Sequence, residues 1–301
     1  MRIILIGVLR SAAVRRPRIL LVALVGLAAV VSGCGGGGGG GGGGRLSVVA
    51  SFYPLVDAAR SVGGDRVEVT NLTPAGVEPH DIELNPRQID RVAGAALVLY
   101  LGGGFQPAVE DAAGQARQAV DLRAGLAGAD PGDPHVWLDP TLFAQVVDGL
   151  EVALVEVDPA GADGYRARAD DYRRRLDELD AEIRAGLADC GRRTIVTAHE
   201  AFGYLARRYG LEQVAISGLS PDAEPDPRRL AELADLVDRL GVTTIFTEEL
   251  VSPRVAETLA RETGAGVAVL DTIEGVTGEA DDYFSLMRAN LAALGMALDC
   301  R

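Results

Sequence analysis

Two series of four short apolar runs, each run separated from the next by a stretch with helical periodicity, constrain this chain more than any other feature. In the first series the runs are Leu46–Phe52, Val67–Asn71, Ala95–Leu101 and Ala119–Leu122, with helical stretches at Pro54–Val62, Pro86–Ala93 and Gln106–Arg117. In the second they are Arg193–Thr197, Gln213–Ser217, Thr243–Thr247 and Val267–Leu270, with helical stretches at Glu200–Tyr209, Pro227–Leu240, Pro253–Glu262 and Tyr283–Leu298. Strands that alternate with helices must be joined by crossovers, which makes each sheet parallel and covers both its faces. The expected fold is therefore α/β: two Rossmann-like lobes, each a four-stranded parallel sheet flanked by helices.

Between the series lies a helical pattern from Thr141 to Val157 and then, past Asp158-Pro159, a long charged stretch from about Ala160 to Ala188. Its apolar positions Tyr165, Ala169, Tyr172, Leu176, Leu179, Ile183 and Leu187 step by three or four and so form one stripe. This reads as one long helix joining the lobes. A coiled-coil pairing helix is the alternative.

The amino terminus has a different character. Residues 1–18 are basic, residues 19–31 are apolar throughout, and Val31-Ser32-Gly33-Cys34 follows. Thirteen apolar residues are short for a bilayer span and suit the core of a signal peptide. The four residues ending in Cys34 resemble the bacterial lipobox, in which the cysteine becomes lipid-modified. The ten glycines Gly35–Gly44 cannot bury apolar surface and behave as a flexible tether. The division expected is 1–33 signal peptide, 34–45 lipidated cysteine and glycine-rich tether, 46–158 amino-terminal lobe, 159–189 linking helix and 190–301 carboxy-terminal lobe. The location expected is extracytoplasmic, anchored to the outer face of the cell membrane.

Formal charge is −14 although the first 33 residues carry five arginines and no acid, so the mature chain is more acidic still. That excludes nucleic acid as a natural partner and suits attraction of cations. There is no lysine, which removes Schiff-base and P-loop chemistry. With Cys34 lipidated, Cys190 and Cys300 remain. Outside the cytoplasm a leftover pair suggests a disulfide, the alternative being two buried thiols.

The chain has three histidines, and each falls at the carboxyl end of a strand candidate. His80 follows the second strand of the first lobe and His135 its last. His199 ends the first strand of the second lobe, and Asp271 ends its last. Open parallel sheets bind ligands at the carboxyl ends of their strands, so two facing lobes would bring these four side chains to one cleft. Three imidazoles and a carboxylate suit Zn²⁺. Glu78 is close enough in sequence to His80 to supply the oxygen instead of Asp271. A zinc hydrolase is the rival reading, because Glu200 beside His199 begins an HExxH motif, but Gly203 stands where its second histidine belongs. Gly102-Gly103-Gly104 fails as a dinucleotide loop, since Pro107 occupies a required glycine position. Glu248 and Glu249 follow a strand and could line the cleft or brace a neighbouring loop.

Three long motifs occur in order: Pro74-Ala75-Gly76-Val77-Glu78-Pro79-His80-Asp81, Asp133-Pro134-His135-Val136-Trp137-Leu138-Asp139-Pro140, and Thr197-Ala198-His199-Glu200-Ala201-Phe202-Gly203-Tyr204. With Gly218–Pro225 and Ile245–Glu248, they resemble the motifs of the solute-binding lipoproteins of zinc and manganese ABC importers, over nearly all of Leu46 to Cys300. The resemblance implies two lobes joined by a rigid helix, a monomer that holds metal between the lobes and delivers it to an ABC permease with its cytoplasmic ATPase. It puts His80, His135 and His199 on the first three ligand positions and Asp271 on the carboxylate position, with Zn(II) as transported ligand. Manganese-type members have glutamate where this chain has His199, so zinc is expected over Mn(II) or Fe(II). The histidine-rich loop of many zinc members has no counterpart in Gly125–Gly132.

Overall fold

Each run of β-branched and apolar residues becomes one strand of a parallel sheet, because the helices that follow pack on its faces and bury the central strands, while the edge strand at residues 266–269 keeps Val267 and Val269 exposed. The computed structural model describes residues 44–221, 227–275 and 282–301. The signal, lipidation and tether expectations on residues 1–43, Cys34 included, lie outside the described residues.

The first half runs β1 (Leu46–Ala50), α1 (Tyr53–Gly63), β2 (Val67–Asn71), α2 (Pro86–Gly94), β3 (Leu97–Tyr100), α3 (Pro107–Ala113) and β4 (Ala119–Asp121). After a loop and one 3-10 turn at Val136–Leu138 come the helices α4 (Pro140–Val157) and α5 (Ala162–Gly186). The second half runs β5 (Thr194–Thr197), α6 (Gly203–Tyr209), β6 (Glu212–Ala215), α7 (Pro227–Leu240), β7 (Thr244–Thr247), α8 (Arg254–Thr263), β8 (Gly266–Val269) and α9 (Tyr283–Leu298). The sheets have strand orders β2-β1-β3-β4 and β6-β5-β7-β8, all pairs parallel. The second half thus repeats the topology of the first.

Local chemistry explains the boundaries that matter for the site. Asp139 caps α4 by accepting the Thr141 N–H at 2.8 Å, and Pro140 opens the helix where its missing donor costs nothing. Expected helix Glu200–Tyr209 begins later, at Gly203, because the Glu200 N–H donates to Gly218 O at 2.9 Å and draws the chain toward the end of β6. Gly103 and Gly104 adopt positive φ in a tight turn before Pro107 starts α3.

The 25-residue helix α5 is about 37 Å long. All the positions of its expected stripe are buried, and the helix packs against α1, α4 and α9. Its polar anchors divide by lobe. Arg168 donates to the carbonyls of Val62 and Gly63, and the Tyr172 hydroxyl to Asp57 at 2.7 Å. Farther along, Asp180 accepts from Arg208 and Tyr209, and Glu182 from Arg288. One continuous apolar cluster, with Phe52, Trp137, Phe143, Tyr172, Tyr283 and Phe284 among its members, runs through both halves. Shared apolar packing of this kind disfavours free hinge motion between lobes. Cys190 and Cys300 form a disulfide that ties the entry to β5 to the end of α9.

Candidate metal centre

His135 sits on the loop whose backbone is most heavily secured. The Arg123 guanidinium, buried in the first lobe, donates to the carbonyls of Gly102, Asp130, Pro131 and Asp133. From the second lobe the Tyr204 hydroxyl bonds to Asp130 N at 2.6 Å and to Asp133 O at 3.0 Å. Tyr283 donates to Trp137 O at 2.6 Å, and Trp137 Nε1 donates to Thr272 O at 2.7 Å. The loop is therefore a bridge between lobes. The proline frame is legible in the sequence but these fixings are not: Arg123 acts from within the first lobe, and Tyr204, Thr272 and Tyr283 bond the loop from 71 to 146 positions away.

Asp133 bonds His135 twice, accepting its backbone N–H at 3.0 Å and its Nδ1–H at 2.8 Å. Glu248 treats His199 alike, accepting the backbone N–H at 3.0 Å and Nδ1–H at 2.6 Å. A carboxylate can only accept, so both rings carry a proton on Nδ1 and present Nε2 to the cleft. Those two Nε2 atoms lie 3.3 Å apart. The third imidazole, His80, stands edge-on to Phe105 with ring centroids 4.8 Å apart. Its backbone N–H donates to Glu78 Oε1 at 3.1 Å.

The fourth member is Glu274. Its Oε1 lies 3.4 Å from His80 Nε2, 3.2 Å from His135 Nε2 and 3.7 Å from His199 Nε2. Among the described residues these four side chains form the one group of three or more whose ligand atoms lie within 4.8 Å of one another. A tetrahedral ion about 2.0–2.1 Å from each ligand would hold its ligands about 3.3–3.4 Å apart. The spacing fits.

Lone pairs converge here without donors to answer them. His80 Nε2 and Glu274 Oε1 are buried and make no aligned hydrogen bond. In the metal-free molecule protons compensate. Burial opposes a charge on His199, yet the hydrogen bond to Glu248 and the nearby Glu274 carboxylate outweigh it and push its pKa up to about 10. His135 is raised for the same reasons, with Asp133 and Glu274 as its partners. Glu274 is held well below the usual carboxylate range: burial works against its charge, and the three imidazoles more than offset it.

The structure brings His80, His135 and His199 together as expected but does not bring Asp271 to them. Asp271 Oδ1 instead accepts the Ile273 N–H at 2.7 Å, and burial, aided by repulsion from Glu249, Glu274 and Glu248, raises its pKa to about 6. Reading strand ends found the right loop and stopped at its first acid, three residues early. The intervening turn has no sequence signal, because Ile273 adopts φ +58°, a conformation β-branched residues avoid at a cost of about 1–3 kcal/mol. Glu78, the alternative oxygen, bonds the His80 backbone and stands outside the group of four. Of the two readings for Glu248, the brace is the one observed. Glu249 and Glu200 are exposed and stand outside the group of four.

Comparisons with known proteins agree with this architecture. A family model described as zinc-uptake complex component A, periplasmic (ZnuA), matches residues 48–297. The high-affinity zinc uptake system protein ZnuA of Bacillus subtilis is 35% identical over 276 residues, covering 83% of this chain and 86% of its own. Zinc-binding protein AdcA of Streptococcus pyogenes is 34% identical over 290 residues. That match covers 85% of this chain but 56% of AdcA, so the chain spans little more than half of that relative. The Zn(II)-bound ZnuA-like domain of Streptococcus pneumoniae AdcA superposes with a TM-score of 0.75 at 34% identity, covering 85% of this chain and all of that one. By the extent of the family match and these relatives, the chain belongs to the zinc-uptake component A (ZnuA) family.

Proposed function

We propose that this protein captures Zn(II) between its lobes with His80, His135, His199 and Glu274 and delivers it to an ABC importer permease driven by a cytoplasmic ATPase. The observation that carries the reading is the convergence of three imidazole Nε2 atoms and one carboxylate oxygen, buried and within 4.8 Å of one another, with Asp133 and Glu248 fixing two of the tautomers. Three nitrogens and one oxygen favour zinc over manganese. Four protein ligands leave no open position for a reacting water, so the site holds and does not catalyse. The family match and the zinc-binding relatives support the transport role. In this reading the lobes comprise residues 46–158 and 190–301, joined by the helix within 159–189. A lipid on Cys34 and the glycine tether keep the monomer at the outer face of the cell membrane.

Chelator-stripped protein titrated calorimetrically with Zn(II) and with Mn(II) tests the metal assignment. One tight zinc site, shifted toward manganese by His199→Glu, is the expected result. Tight Mn(II) with weak Zn(II) would keep the fold and reject the metal. Delivery is tested by zinc-dependent stimulation of ATP hydrolysis in the reconstituted permease, and no stimulation would reject it.

A further inference from the structure

From Leu270 to Ile273 the loop after β8 is secured residue by residue. Leu270 N–H donates to Thr247 O at 2.9 Å. Asn290 of α9, itself buried, accepts the Asp271 N–H on Oδ1 at 2.8 Å and donates Nδ2 to the Asp271 carbonyl at 2.7 Å. Trp137, two residues from His135, holds the Thr272 carbonyl at 2.7 Å. Asp271 Oδ1 accepts the Ile273 N–H at 2.7 Å, closing a turn two residues wide. Ile273 is fully buried and left-handed, at φ +58°. The next residue is Glu274, whose side chain enters the group of imidazoles.

A buried β-branched residue leaves the left-handed region unless its surroundings prevent it. Here the bond that closes the turn over Ile273 comes from the Asp271 side chain, and Asn290 fixes the backbone of Asp271. Released from that turn, Ile273 would return to extended or right-handed backbone, and the Cα–Cβ bond of Glu274 would swing out of the cleft. We propose that Asp271 is a positioning residue for Glu274: clamped by Asn290, its carboxylate oxygen imposes the left-handed turn that aims Glu274 at the metal. Asp271 thus sets zinc affinity without touching zinc. This rests on the reading of the His80, His135, His199 and Glu274 group as a zinc site.

The test uses the full chain stripped by chelator, with zinc affinity measured by competition against a chromogenic chelator and folding followed by thermal melting. Asp271→Ala is expected to weaken zinc binding about 10- to 100-fold, the range found when residues that orient a metal ligand are lost. Asp271→Asn, whose amide oxygen can still accept the Ile273 N–H, is expected to bind like the wild type. In a Glu274→Ala background, Asp271→Ala is expected to cost nothing further, because there is no ligand left to aim. Asn290→Ala, which removes the clamp, is expected to show the same loss and the same silence in that background, and it decides the matter if Asp271→Ala does not fold.

Three results would overturn the proposal. Equal damage from Asp271→Asn and Asp271→Ala would make Asp271 a ligand itself. Losses that add to that of Glu274→Ala would show action independent of Glu274. Unchanged zinc affinity with a lowered melting temperature would reduce the turn to a stability feature. Failure of the wild type to bind zinc would instead remove the zinc reading on which the proposal stands.

Discussion

Glu248 grips His199 at two points, taking the backbone N–H on Oε1 at 3.0 Å and the Nδ1–H on Oε2 at 2.6 Å, with both side chains shut off from solvent. The pair spans the ends of β5 and β7, neighbours in the second sheet, so the sheet itself sets the direction of the His199 Nε2 lone pair. Glu248→Ala is expected to leave the ring free to rotate and to exchange tautomers, weakening zinc binding about 10- to 100-fold. Competition against a chelator of known affinity checks this, and wild-type affinity in the variant would contradict it.

Zinc binding should release protons. With a pKa of about 10 in the metal-free protein, His199 is charged at pH 7, and it must be neutral to bind zinc. Affinity should therefore rise with pH by about tenfold per unit for each proton displaced, until pH approaches the value at which His199 loses its proton unaided. Calorimetry in buffers of different ionisation enthalpy measures the proton count. At least one per zinc at pH 7 is expected, and none would show that His199 is already neutral. The metal-free fold carries the opposite sign. Because His199 gains its pKa on folding, its contribution is full below about pH 6.5 and is lost as pH rises toward about 10.

The Cys190–Cys300 disulfide closes a loop of 110 residues. In the chain-entropy model it contributes at most about 4–5 kcal/mol. It lies at the amino end of β5, whereas the metal group lies past the carboxyl ends of the strands. Cys190→Ser with Cys300→Ser is expected to lower the denaturant midpoint while leaving zinc affinity unchanged, and a parallel loss of affinity would contradict that separation.

Trp137 is the lone tryptophan, fully buried, and its Nε1–H reaches across to Thr272 O. Trp137→Phe leaves that buried carbonyl without its donor, at about 1–3 kcal/mol beyond the lost packing. Urea unfolding of the metal-free protein should show a destabilisation of at least that size, and a neutral result would mean the two lobes do not depend on this bond.

The sequence conveys most of the architecture because period and strand length are local properties. All eight strands fall on or within two residues of the expected runs, and the buried stripe of α5 can be read from Tyr165 to Leu187. The three imidazoles were legible because histidine is rare here and each lies in a segment that follows a strand, His199 directly after β5 and His80 and His135 farther along the loops after β2 and β4. What stayed hidden depends on contacts between distant residues. Arg123 is one arginine among many until its guanidinium is seen to gather four carbonyls. Asp133 and Asp139 flank one motif symmetrically, yet one orients His135 and the other caps α4. Asp271, the acid expected in the group, stands outside it, and Glu274, to which the sequence assigned no role, enters it past a left-handed isoleucine that no propensity would propose.

The central claim is that three imidazoles and Glu274 hold zinc. X-ray absorption at the zinc edge of the loaded full chain tests it most directly, comparing wild type with Glu274→Gln and Asp271→Asn. The expected wild-type spectrum is four-coordinate, with three imidazole nitrogens and one oxygen at about 2.0–2.1 Å. That oxygen shell should change in Glu274→Gln and persist in Asp271→Asn. A spectrum altered by Asp271→Asn and untouched by Glu274→Gln, or one with fewer than three imidazoles, would contradict the account.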